Sequence, residues 1–242
     1  MSWVASKASL SRVALAALLA AGAASAAADV IVVRSSGPSA KSYPPGRSLP
    51  DSARIVLRPG DSLVVLDRSG TRTFRGPGNF SPGGAVQAQT RSADSSSGRR
   101  ARIGAVRTAG LDPQGPTTIW HIDVTQSGTI CLANTSDVML WRPDSAAAAA
   151  VTITAPGGES QSLQWPAGQA TIAWPAALGI AHNGEYRFRQ AGVAVPTTIR
   201  FKLLASEPAD LQAVAAALIE NECQEQLDLL VETAPGQDAP TG

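Results

Sequence analysis

Residues 53–80 read ARIVLRPGDSLVVLDRSGTRTFRGPGNF, and the rest of the chain is best read outward from them. The stretch contains three short β-prone runs, Arg54–Leu57, Ser62–Asp67 and Thr71–Phe74. Pro59-Gly60 divides the first pair, Ser69-Gly70 divides the second, and Gly76-Pro77-Gly78 stops the last. Turn formers at that spacing between Val, Ile, Leu and Thr runs predict a β-meander. The stretch holds no His or Cys, and Asp61 and Asp67 are its only carboxylates, so it predicts architecture rather than chemistry.

Toward the N-terminus, Val30–Arg34 (VIVVR) adds a strongly β-branched strand. Between it and the meander, the Ser-, Gly- and Pro-rich segment Ser35–Pro50 reads as an extended connector. The resulting unit, residues 29–81, buries too little to be robust alone and is expected to lean on later residues or on a partner. Residues 1–28 read as a signal peptide: Lys7 and Arg12 precede an apolar core, Val13 to Ala21. Ala24-Ser25-Ala26 and Ala26-Ala27-Ala28 both fit the cleavage rule. No other stretch is long and apolar enough for a transmembrane segment. The expected location is therefore the periplasm.

The run Gly46-x-x-Leu49, Ile55-x-Leu57-x-x-Gly60-Asp61-x-Leu63, Asp67-x-x-Gly70, Gly76-x-Gly78 resembles the FecR-type periplasmic β-domain. The resemblance covers residues 29–81 and implies an envelope sensing or interaction module. An anti-sigma role does not follow from it, because that family places a cytoplasmic segment and a membrane helix ahead of its periplasmic domain.

Residues 82–116 have the composition of a disordered linker, with SADSSSG at 92–98 and a cationic cluster of Arg99, Arg100, Arg102 and Arg107. As a binding surface the arginines would suit an acidic partner, lipid headgroups or cell-wall polyanions. As plain composition they form a solvated loop, which is the reading favoured here.

Residues 117–205 form the larger unit. Candidate strands recur about every ten residues with turn signals such as Pro156-Gly157-Gly158 and Asn183-Gly184 between them. That cadence predicts an antiparallel β-sandwich or barrel. Residues 206–232 then predict one helix, capped by Ser206, with Leu211, Ala215, Ile219, Cys223, Leu227 and Leu230 at helical spacing. Residues 233–242 read as a flexible tail. The fold class is thus mainly β: a small β-meander unit, a linker, and a β-sandwich-like unit carrying a C-terminal helix.

Cys131 and Cys223 are the only cysteines, and in an oxidising compartment they predict a disulfide fastening that helix to a central strand. The net charge of +1 gives no case for nucleic acid. Two histidines, His121 and His182, without metal-ligand spacing point to no metal and no cofactor. His121 and Asp123, side by side on one strand face, are the only catalytic candidates for a hydrolase, and the chain has no G-x-S-x-G. Trp120 and Trp141 are assigned to the core, whereas Trp165 and Trp174, each followed by proline, are candidates for a binding surface. The expected function is a non-catalytic, exported binding or sensory accessory protein that contacts an envelope protein or cell-wall polymer. A periplasmic hydrolase is the alternative.

Overall fold

The computed structural model describes residues 29–83, 116 and 118–238. Residues 1–28, read above as a signal peptide, and residues 84–115 of the linker, with the arginine cluster at 99–107, lie outside the described residues. What is described is mainly β, as expected, in two β units with two helices between them.

The first unit holds β1 (Asp29–Ser36), β2 (Ser48–Pro50), β3 (Ile55–Leu57), β4 (Ser62–Asp67), β5 (Gly70–Arg75) and β6 (Gly78–Phe80). β4 and β5 form the hairpin the sequence predicts, paired from Ser62↔Arg75 to Asp67↔Gly70. The meander fails at β3, which pairs with β6 instead of β4. The cause is the corner after Leu57. Asp61 is buried there, and its carboxylate accepts the backbone N–H groups of Ser39 and Arg58. The chain therefore folds over: Ile55 and Leu57 face the core that Leu63 and Val65 line from the opposite layer. Alternation along β1 buries both faces, Val30 and Val32 into this core and Ile31 and Val33 away from it, and a bulge between Val32 and Arg34 shifts its register with β4.

The second unit is a sandwich. Its larger sheet has the order β11 (Ser160–Trp165), β10 (Ala149–Thr154), β13 (Glu185–Gln190), β14 (Thr197–Leu203), β8 (Gly128–Leu132). The smaller has the order β12 (Thr171–Ala173), β9 (Met139–Trp141), β7 (His121–Asp123). The unit is not wholly antiparallel as expected: β8 runs parallel to β14 and β7 parallel to β9, because these partners are not consecutive in the chain and no hairpin joins them. Between them Val151, Ile153, Tyr186, Phe188, Ile199 and Phe201 meet Ile122 and Leu140 in one core.

The predicted single C-terminal helix is two, α1 (Leu211–Glu220) and α2 (Gln224–Thr233). Its cap is Asp210 rather than Ser206: the Asp210 carboxylate accepts the Ala213 N–H at 2.8 Å. The break falls where Glu222 adopts the left-handed region, φ 59°. The N–H groups of Glu222 and Cys223 donate back to the carbonyls of Ile219 and Leu218, the bonds of a Schellman end, here with Glu where Gly is usual. Breaking the helix there brings Cys223 to Cys131, and the two form the predicted disulfide. Leu218, Leu227 and Leu230 then pack with Ile31, Val33 and Leu66 of the first unit, so the helices join the two β units.

The tail is corrected too. Gly236–Asp238 forms β15, parallel to β5, and Thr71 N–H donates to Pro235 O at 2.8 Å. This approach requires Gly70, because a Cβ there would stand 2.0 Å from the Pro235 carbonyl oxygen. Among the described residues no helix is long and apolar enough to cross a membrane.

Candidate functional site

His121 and Asp123 stand two residues apart on β7, so they share a face while Ile122 points into the sandwich core. Across from them lies α2. Glu225, Asp228 and Glu232 recur at spacings of three and four, which places them on one helix face. Between strand and helix is a cleft of about 320 Å³, lined by His121, Asp123, Gln126, Glu225, Asp228 and Glu232 over an apolar floor of Ile119, Ile130 and Leu229.

One residue holds the floor together. Gln226, buried on the inner side of α2, accepts the Cys131 N–H at 2.6 Å. Its amide donates to the Ile119 carbonyl at 2.7 Å and the Cys131 carbonyl at 3.0 Å. β8 is an edge strand, and Gln226 satisfies the backbone groups that its missing neighbour would have taken.

The cleft is acidic. Burial, reinforced by the charges of Asp123 and Asp228, pushes the Glu225 carboxyl above the ordinary range. Asp228 pairs with Arg34 of β1 and also accepts the Gln224 amide. Asp123 is held by its own turn, accepting the Thr125 N–H and hydroxyl at 2.8 and 2.6 Å. Burial depresses the His121 pKa, and its Nδ1 is enclosed without a hydrogen-bond partner. From Leu203 onward the chain carries no lysine or arginine, so the helices add only negative charge around the cleft.

His121 and Asp123 therefore do line a common cleft, but its lining includes no serine, threonine or cysteine. Asp123 is engaged with Thr125 and Gln126 rather than with the imidazole. Among the described residues no group of three or more His, Cys, Asp and Glu side chains has metal-binding geometry.

Of the two candidate surface tryptophans, one is buried and the other half-buried. Trp165 is 2% exposed, and the Arg142 guanidinium lies 5.1 Å over its ring. Trp174 sits edge-on against Tyr186 and Phe201, and its Nε1 donates to the Leu178 carbonyl at 2.6 Å. The following prolines do end the runs as read; Trp165 turns wholly into the core, while Trp174 packs on its rim and stays half-buried. Sequence reasoning missed Glu225, Gln226 and Glu232. The 225/228/232 spacing was a readable signal, hidden because the apolar stripe of the same helix drew the attention. No family model matches the sequence, and no curated protein and no solved structure matches it either.

Proposed function

We propose that the protein is an exported, non-catalytic binding or sensory accessory module of the cell envelope, and that its acidic cleft receives a cationic group from a partner protein. The observation that carries this reading is the cleft itself: Asp123, Glu225, Asp228 and Glu232 stand over an apolar floor, and among the described residues the one ion pair they make is Asp228 with Arg34. An arginine or lysine side chain would place its aliphatic stem on Ile119, Ile130 and Leu229 and its head among the carboxylates. The Cys131–Cys223 bond supports residence in an oxidising compartment. The FecR-type rhythm of residues 29–81 supports a sensing or interaction role of the same general kind.

The test is titration of the oxidised protein with arginine- and lysine-bearing peptides, followed by calorimetry. Binding is expected to weaken with salt and to be lost in Glu225→Gln/Asp228→Asn; charge-independent binding would refute the assignment.

A hydrolase is the second reading, favoured by one observation. Glu225, its carboxyl pushed above the ordinary range by burial, shares the cleft with His121 and Asp123, and a carboxyl that holds its proton more tightly can serve as a general acid. Turnover of an ester, peptide or glycoside that is abolished by Glu225→Gln would put this reading first.

A further inference from the structure

Among residues 118–238 the only lysines and arginines are Arg142, Arg187, Arg189, Arg200 and Lys202. Arg142 is buried, donating to the carbonyls of Gln169 and Pro166. The other four stand on one face of the five-stranded sheet. Along β13, Tyr186 and Phe188 point into the core while Arg187 and Arg189 are exposed. Along β14, Ile199 and Phe201 point inward, leaving Arg200 and Lys202 on the outer side.

Hydroxyls continue the same face. The register sets Ser162, Thr152 and Arg189 in one row across β11, β10 and β13, and Ser160, Thr154 and Arg187 in the next. Thr152 and Ser162 hydroxyls are 3.0 Å apart, Thr154 and Ser160 hydroxyls 2.9 Å. Neither row carries a carboxylate; on the row beyond Arg187, Glu185 stands opposite Arg200 and pairs with it at 3.3 Å. Among the described residues Arg187 and Arg189 have no ion-pair partner. Apart from Glu185, the acids of this unit lie on loops, helices and the cleft, so this face carries four cations against one anion. Solubility alone would be served by interspersed charge.

We propose that this face is a docking surface for an acidic polysaccharide. Arg187 and Arg189 stand roughly 7 Å apart along one strand, and each presents the planar fork that takes a carboxylate at two points. The paired hydroxyls beside them offer donors and acceptors to sugar hydroxyls. The strands of this face present no outward aromatic ring on which nucleobases would stack and no apolar anchor of the kind that dominates protein interfaces. The cleft beneath α2 shares none of these residues.

The test is affinity electrophoresis of the disulfide-intact full chain through gels containing polygalacturonate or neutral dextran. Polygalacturonate is expected to retard the protein at low ionic strength and dextran to leave it unretarded. Arg187→Gln/Arg189→Gln is expected to weaken retention roughly tenfold and to flatten its salt dependence, because fewer counterions are released on binding. Thr152→Val/Ser162→Ala should weaken retention without changing the salt dependence. Arg58→Gln/Arg75→Gln, on exposed strand ends of the first unit, should change nothing. The proposal is overturned if polygalacturonate does not retard the protein, or if the Arg58/Arg75 variant loses as much as the Arg187/Arg189 variant. Tighter capture by oligothymidylate or by phosphatidylglycerol vesicles, lost in the Arg187/Arg189 variant, would assign the face to phosphate and overturn it as well.

Discussion

Replacing Gln226 with leucine tests whether one buried amide holds the helical pair to the sandwich. The side chain makes three hydrogen bonds, one from the Cys131 N–H and two to the carbonyls of Cys131 and Ile119. Leucine fits the space but leaves a buried donor and two acceptors unpaired, at about 1–3 kcal/mol for each group that stays dry. Ile119 borders the cleft, so water can reach its carbonyl and reduce that share. Burial of the leucine returns about 1–2 kcal/mol. The expected net loss is about 3 kcal/mol, which in a domain of this size lowers Tm by roughly 6–12 °C. Urea unfolding of the oxidised protein should show a lower midpoint at unchanged slope. Gln226→Glu should behave differently. Its carboxylate would face two carbonyl oxygens, so it should be less stable than the leucine variant at neutral pH. It should recover as the pH falls and the protonated carboxyl regains a donor. A leucine variant that loses less than about 1 kcal/mol, or a glutamate variant without recovery in acid, would refute the reasoning.

Removing the disulfide with Cys131→Ala/Cys223→Ala should cost up to about 4–5 kcal/mol by the loop-entropy relation for a separation of 92 residues, measured by urea unfolding. Glu222→Gly should stabilise by roughly 0.5–1 kcal/mol, because the helix break holds that residue at positive φ, where glycine is unstrained. For Glu225 the folded-state pKa is raised, so the native protein binds that proton more tightly than the unfolded chain. Wild-type stability should therefore fall as the pH rises from the ordinary carboxylate range through the folded pKa. Glu225→Gln should lack that fall, and a series of thermal melts against pH reads the difference.

The local rules were legible where a single strand or turn decided the outcome. The β4–β5 hairpin followed from Ser69-Gly70 between alternating runs, and the outward Arg187 and Arg189 from alternation with Tyr186 and Phe188. The partner of Cys131 was legible because only one other cysteine exists. What failed depended on tertiary contacts. β3 leaves β4 because Asp61 finds backbone donors as far away as Ser39. The helix breaks at Glu222 because Cys223 must turn toward β8, a demand that helical periodicity cannot express. The cleft needed both β7 and α2, about one hundred residues apart in the chain, to be placed against each other before its acidity had a location.

Because β15 completes the sheet that β1 begins, the first unit cannot reach its final form until residues 236–238 have emerged from whatever is synthesising or translocating the chain. Its hairpin can form early, but the sheet's last backbone partners and the cover for the Ile31, Val33 and Leu66 face wait for residues 211–238. Folding order is thereby tied to residues 235–238: a molecule cut short before Pro235 would leave β5 with an open edge, free to recruit a strand from a neighbouring molecule.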